Sequence, residues 1–249
     1  ICRKPNIFES LKAWYSYKAN DKIYTFPWIA ELDLETRRRI GAEKCTSVYF
    51  VKGGGNSAFD NAYYKKIRRT KNLVCYLKAS GAVFGIHTSM SAGQQPREIL
   101  QEIKRLEYIL EEKVTWNRNH YLCSREPEDM EYLVAAGITD DFTMGYADVA
   151  GFRLGTCRAV RWIDPLKKEL TSLKLHPLTV MEGTLDAEQY MNLNEKEAFS
   201  VICKMLETTR EYHGEAVLLW HNTAVAERDD SYQRRLYKRT LEVFDKKFF

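Results

Sequence analysis

The sequence lacks the local motifs that assign a function class directly. It has no P-loop, no Gly-x-Ser-x-Gly nucleophile elbow and no His-Glu-x-x-His pair. The glycines at 53–55 fit neither a P-loop nor a dinucleotide fingerprint, and we expect a flexible loop at a strand exit. No apolar run approaches the ~20 residues of a membrane span, and no signal peptide is visible. Because no local metal-binding motif is present, any metal site must be assembled from distant parts of the chain.

Neither the cysteines nor the charges form a pattern that identifies a partner. The six cysteines are scattered without a C-x-x-C pair, so a reduced cytoplasmic protein is the simplest expectation. The net charge of +4 is too small to indicate that the protein binds nucleic acid. We expect the basic clusters at 37–39 and 65–69 to be solvated helix faces. Because the first residue is Ile rather than Met, we expect a preceding segment, and secretion stays open.

Short apolar runs alternate with amphipathic stretches along the chain, with no repeat and no Pro/Gly-rich linker. This alternation predicts βα units around a parallel sheet, and 249 residues suit one distorted β/α barrel. We therefore expect residues 1–249 to form a single domain, whose oligomeric state the sequence does not indicate. The predicted strands are 46–51, 83–87, 119–122, 138–143, 173–180 and 216–220. The predicted helices are 97–112, 127–137, one capped by Asn194 and Glu197, and 232–244.

Polar residues stand at or beside the ends of these predicted strands. They are His87, Arg118, His120, Asp140, Asp141, His221 and Asn222. The carboxyl ends of strands in a parallel barrel converge on one face, where active sites lie. We therefore expect imidazoles that are far apart in the chain to share one mouth of the sheet.

Each of these candidates also has a purely structural interpretation. His87 is either a ligand or a hydrogen-bonded residue at a strand end. Arg118 and His120, two apart on one strand face, either hold a carboxylate or oxyanion or form a rim pair in water. His221 is either a general acid tuned by partial burial or an imidazole satisfied by a backbone carbonyl.

The segment 140–157 combines two aspartates with glycines at positions 145, 151 and 155. The glycines predict an irregular, tightly turning loop. Between two of them, Arg153 is expected to be buried and paired with Asp140 or Asp141. A structural pair and a catalytic pair are equally consistent with this pattern.

Four segments together resemble the polysaccharide deacetylase superfamily, the NodB-homology fold. They are residues 85–91, 118–122, 141–157 and 218–222, which follow the order of the family's motifs. The Gly-Phe-Arg-x-Gly-Thr run at 151–156 carries most weight. The family uses an Asp-His-His metal triad, usually with zinc. A metal-bound water attacks an acetyl carbonyl, a second Asp acts as base, and a His protonates the leaving atom.

The resemblance implies a role for each matching residue. It implies that His87 is the first metal ligand and that His120 replaces the second, because Ser91 occupies that ligand's position. It also implies three catalytic residues, with His221 as general acid, Arg118 holding the base and Asp141 orienting a partner. The residues implied in substrate binding are Arg153, Asn222, Tyr146 and Trp220.

The chain departs from the family at the first strand, which should carry the paired aspartates. The acidic residues Glu31 and Asp33, which precede position 46, lie in a helix-like run. Either a preceding strand is missing, or the chain is not a standard deacetylase. The first hypothesis is a carbohydrate N- or O-deacetylase with a divalent metal, zinc in first place. The alternatives are a catalytically inactive carbohydrate-binding or scaffold member of the fold, and a metal-dependent hydrolase of another substrate.

Overall fold

The computed structural model describes residues 24–60, 67–226 and 232–244, and the side chains of 67–69 are not included. The predictions for Cys2, for most of the basic cluster 65–69 and, ahead of residue 24, for a missing first strand therefore lie outside the described residues. The run with Glu31 and Asp33 is helical as predicted, in α1 (Phe26–Ile40).

A mostly parallel sheet forms the centre of the molecule. Its strands are β1 (Val48–Val51), β2 (Val83–Ile86), β3 (Trp116–Asn117), β4 (Asp140–Asp141), β5 (Val160–Asp164) and β6 (Glu169–Leu175), joined in the order β1-β2-β3-β4-β6-β5. Only the β5–β6 pair is antiparallel among the described strands of this sheet. A second parallel pair consists of β7 (Leu178–Met181) and β8 (Val217–Leu219). The architecture is the predicted mixed α/β fold, a distorted β/α barrel.

Helices connect the strands and cover the sheet. The remaining ones are α2 (Ile67–Ala79), α3 (Met90–Gln94), α4 (Arg97–Leu110), α5 (Glu128–Ala135), α6 (Glu182–Asp186), α7 (Glu195–Glu211) and α8 (Gln233–Val243). The predicted apolar stripe of α4, with Ile99 and Leu106, is buried in the core. Helix α7 begins with the predicted capping box between Asn194 and Glu197. Among the described helices, none is long and apolar enough to cross a membrane.

Three strand predictions were wrong in extent. The strand predicted at 119–122 ends at Asn117 instead, and His120–Leu122 forms a 3₁₀ turn because Tyr121 and Leu122 adopt positive φ. The run 173–180 divides into β6 and β7 around Pro177, which has no N–H for a sheet hydrogen bond. The run 138–143 pairs only at β4. Strand β5, a mostly exposed partner of β6, was missed.

The glycine loop after β1 is packed, not flexible as predicted. Gly53 and Gly54 are buried against helix α4. A Cβ added at Gly53 would lie 2.2 Å from the carbonyl oxygen of Glu102. The loop needs glycine because the backbone approaches the helix so closely. This contact fixes the exit from β1, where the candidate site begins.

Candidate functional site

The carboxyl ends of five parallel strands present charged or imidazole side chains to one region. Lys52 follows β1, His87 follows β2, Arg118 follows β3 and Glu182 follows β7. His221 lies two residues beyond β8. The registers Val51–Ile86 and Ile86–Asn117 align the first three ends.

His87 is held as a neutral imidazole. Its Nδ1–H donates to the carbonyl oxygen of Arg118 at 2.7 Å, which leaves the lone pair on Nε2. Burial lowers the pKa of His87 to about 3, and the positive charges of nearby Arg118 and Lys52 act in the same direction. Its ring centroid lies 5.0 Å from that of His120, so the structure brings these two predicted residues together.

His120 has hydrogen bonds at both ring nitrogens. Its Nδ1–H donates to Oδ1 of Asp60 at 3.0 Å, and the ammonium of Lys52 donates to Nε2 at 3.2 Å. Burial lowers the pKa of His120, and the charge of Lys52 lowers it further. An ammonium has no acceptor, so this arrangement requires a neutral His120 with its proton on Nδ1.

Asp60 anchors the loop that carries it to the site. Its side chain is fully buried and also accepts hydrogen bonds from Ser57 Oγ at 2.7 Å and from the backbone N–H of Met90 at 3.0 Å. Burial opposes ionisation, but these hydrogen bonds and that from His120 lower the pKa of Asp60 to about 2. Asp60 is therefore a carboxylate that holds His120 in one tautomer.

Arg118 and Asp141 belong to the buried floor of the site. The Nε–H of Arg118 donates to the carbonyl oxygen of Phe142 at 3.1 Å, and its guanidinium lies 4.5 Å from the ring centroid of Phe50. Burial lowers the pKa of Arg118 to about 10, although the negative charges of Asp141 and Glu182 act to raise it. The guanidinium thus remains a cation at neutral pH.

The carboxylate of Asp141 accepts hydrogen bonds from buried residues. It accepts from Nδ2 of Asn117 at 2.6 Å, and from Oγ1 and the backbone N–H of Thr143 at 2.8 and 3.0 Å. Burial raises its pKa, which these hydrogen bonds and Arg118 oppose. Asp141 is fully buried, so it can position its neighbours but cannot touch a substrate.

His221 is oriented by a carboxylate that the sequence analysis missed. Its Nδ1–H donates to Oε1 of Glu182 at 2.6 Å, and its backbone N–H donates to the same oxygen at 3.1 Å. The side chain of Glu182 is 4% exposed, whereas that of His221 is 54% exposed. The charge of Glu182 raises the pKa of His221. The imidazolium therefore persists to higher pH.

The described residues do not by themselves fit a metal centre. No group of three His, Cys, Asp or Glu side chains within the described ranges is arranged to hold an ion. His87 has the neutral ring and outer carbonyl contact typical of a ligand. His120 has no nitrogen left, because Lys52 and Asp60 engage both. The two-histidine metal site remains a prediction.

Lys52, Asp60 and Glu182 are the members of this cluster that the sequence analysis missed. Lys52 and Glu182 directly follow apolar strands, so the rule that selected His87 and His221 would have found them. Asp60 has no such signal, because tertiary contacts with α3 and His120 bring its loop to the site.

The predicted pairing of Arg153 with an aspartate was wrong. Arg153 is exposed and donates to the carbonyl oxygen of Gly145 at 3.2 Å. Both aspartates have other partners: Asp141 accepts its hydrogen bonds in the core, and Asp140 accepts one from His176 at 2.8 Å. A substrate-binding role for Arg153 stays a prediction.

The other predicted substrate-binding residues are divided between the surface and the core. Tyr146 is exposed, and Asn222 is half-buried with its carbonyl oxygen accepting from Thr25. Trp220 donates to Oε1 of Gln233 at 3.3 Å and its ring lies 5.4 Å from that of Tyr237. These contacts place the indole against α8, which favours a packing role for Trp220.

Comparison with known proteins supports the architecture. No protein-family profile matches the sequence, and no curated protein matches it. Among solved structures, the chain is similar to one from Mycobacterium smegmatis described as a polysaccharide deacetylase, with a TM-score of 0.61 and 12% sequence identity. The similarity covers 96% of this chain and 79% of the other. At this identity the likeness shows the fold alone: a polysaccharide deacetylase-like β/α barrel.

Proposed function

We propose that this chain is a carbohydrate deacetylase that hydrolyses N- or O-acetyl groups, with His221 as the proton donor. The observation that carries the proposal is the pairing of His221 Nδ1 with the buried carboxylate of Glu182 at 2.6 Å. The fold, with this pair at the carboxyl ends of parallel strands, supports a hydrolase site in that position.

Each residue has a task that follows from its charge and contacts. Hydrolysis transfers the acetyl group to water: a new C–O bond to the water oxygen replaces the C–N or C–O bond to the sugar, the leaving nitrogen or oxygen gains a proton, and the proton that the water loses passes to solvent. His221 supplies this proton from Nε2, because Glu182 holds the ring through Nδ1 and favours the charged form. We assign to Arg118 and Lys52 the stabilisation of the negative charge that develops on the acyl oxygen, because both are cations of the same cluster.

Metal dependence is a separate part of the proposal, with zinc as the first candidate. His87 has the character of a ligand, whereas His120 must first lose its contact with Lys52. The test is zinc stoichiometry in the wild type, in His87→Ala and in His120→Ala. Lower stoichiometry in both variants supports a shared ion, and unchanged stoichiometry removes both residues from the metal site.

Acetate release from tetra-N-acetylchitotetraose and from acetylated xylan tests the activity, with added zinc and with chelator. We expect His221→Asn to lower kcat by about 10²–10⁴-fold, as removal of a general acid does. The matched control is His213→Asn, at an exposed histidine just beyond helix α7. Release that survives His221→Asn, or no release by the wild type in any condition, contradicts the proposal.

A second candidate is a catalytically inactive carbohydrate-binding member of the fold. The Lys52–His120 contact favours it, as does Ser91 at the position of the family's second histidine. Calorimetric binding of the same tetrasaccharide without acetate release would select this candidate over the enzyme.

A further inference from the structure

Two exposed aromatic rings stand together beside the candidate site. Phe59 is 56% exposed and Tyr121 is 46% exposed, although both residues are large and apolar. Their ring centroids lie 5.5 Å apart, edge to face at 76°. Each ring is adjacent in sequence to a member of the site, Asp60 or His120. The Tyr121 ring also lies 4.5 Å from the ring of His120.

The backbone of Phe59 is hydrogen-bonded through both its N–H and its carbonyl oxygen. Its N–H donates to Ser57 Oγ at 3.3 Å, and its carbonyl oxygen accepts from the Lys52 ammonium at 3.5 Å. The next residue, Asp60, is bonded to α3 and to His120. The ring therefore projects from a fixed base.

Tyr121 is held in an unusual backbone conformation. Its φ is 58° and that of Leu122 is 52°, both in the left-handed region that residues other than glycine seldom occupy. Such strain persists only where surrounding contacts impose it, and it occurs often at functional sites. Here the N–H of His120 donates to the carbonyl of Thr88 at 2.8 Å, which fixes the start of the turn. The turn directs the Tyr121 ring outward instead of into the core.

We propose that Phe59 and Tyr121 form a sugar-binding platform next to the reacting unit, in which each ring stacks on its own pyranose unit, because planes 76° apart do not share one sugar face. Hydroxyl groups polarise the C–H bonds on the face of a pyranose, and the negative face of an aromatic ring attracts them. Two rings match two sugar units and are too small for a stable protein interface. The inference rests on the proposed function and names its substrate class: oligosaccharides of at least two pyranose units.

Calorimetric titration with tetra-N-acetylchitotetraose and with the single sugar N-acetylglucosamine tests the platform. We expect tighter binding of the tetrasaccharide, and Phe59→Ala and Tyr121→Ala each to raise its Kd about tenfold, as loss of one stacked ring does. Tyr121→Phe should stay within about twofold of wild type, because the ring face remains. Tyr212→Ala is the matched control, at an exposed tyrosine before the amino end of β8, and should leave the Kd unchanged.

Two further variants keep the test decisive. Tyr121→Asn removes the ring with a residue that tolerates left-handed backbone, so a tenfold loss there excludes misfolding as the cause. His221→Asn should retain tetrasaccharide binding. If the Tyr121 variants lose binding while the wild type releases no acetate, the platform stands and the enzymatic proposal fails. Unchanged Kd values in Phe59→Ala and Tyr121→Ala, or no wild-type binding, overturn the platform.

Discussion

Replacement of Glu182 by Gln removes the charge that orients His221 and preserves the shape of the side chain. The Gln amide oxygen can still accept from Nδ1 and from the backbone N–H of His221, so the fold should persist. The attraction that raises the pKa of His221 is lost. The pKa of His221 should therefore fall in the variant, and proton donation should fail at a lower pH.

The size of this effect follows from the contact and its exposure. A hydrogen bond to a charged group contributes about 1.5–3 kcal/mol and a neutral one about 0.5–1.5 kcal/mol, a difference of about 1 kcal/mol. The side chain of His221 is 54% exposed, and solvent screening reduces the difference to about 0.5 kcal/mol. Proton binding by His221 should therefore weaken about twofold.

Titration of the imidazole proton signals by NMR measures this directly, with His221→Asn used to assign the resonance. Glu215→Gln is the matched control, because Glu215 accepts from Nδ1 of His176 at 2.7 Å in a similar pair. That variant should lower the pKa of His176 and leave His221 unchanged. An unaltered His221 titration in Glu182→Gln would refute the electrostatic role of the carboxylate.

The same pair makes the stability of the fold depend on pH. Because pairing raises the pKa of His221 in the folded protein, its stabilisation is fully present below the unfolded value of about 6.5. The stabilisation is lost as the pH rises through the folded-state pKa. In Glu182→Gln this part of the pH dependence should be smaller.

Three more perturbations test other contacts. Lys52→Ala should raise the affinity of the protein for zinc, because Nε2 of His120 becomes available, whereas Lys52→Arg should not. Equal zinc affinities of the wild type and Lys52→Ala, measured by calorimetry, would contradict this. Asp141→Ala should lower the free energy of unfolding in urea by about 3 kcal/mol, since buried donors lose their acceptor; a loss near zero would refute a structural role. Asn194→Ala should cost about 1 kcal/mol, and adding Glu197→Ala should cost little more, because the two residues form one capping box.

The strand-end rule predicted much of the site from the sequence. His87 and His221 stand beside the end of an apolar run, and both lie at the carboxyl ends of parallel strands. Arg118 also lies at such an end, that of β3, but the predicted strand 119–122 placed it at an amino end. Lys52 and Glu182 obey the same rule, although neither was predicted. The local sequence pattern is sufficient to predict such residues, because each strand fixes the direction of the residue that follows it.

Other features depend on tertiary contacts and leave no local signal. Strands β3 and β4 have two residues each in the structure, too few to show a period of two. The turn at Tyr121 replaces a predicted strand because Asn119 bonds to Thr143 and because left-handed backbone follows. Asp60 is brought to His120 by its contacts with Met90. Such long-range pairs could not be read from spacing.

The pH dependence of kcat for acetate release tests whether His221 is the proton donor. We expect wild-type kcat to decline towards high pH as His221 loses its proton, Glu182→Gln to decline at lower pH, and His221→Asn to be slow with this basic limb absent. Identical profiles in the wild type and His221→Asn would contradict the assignment of the proton donor.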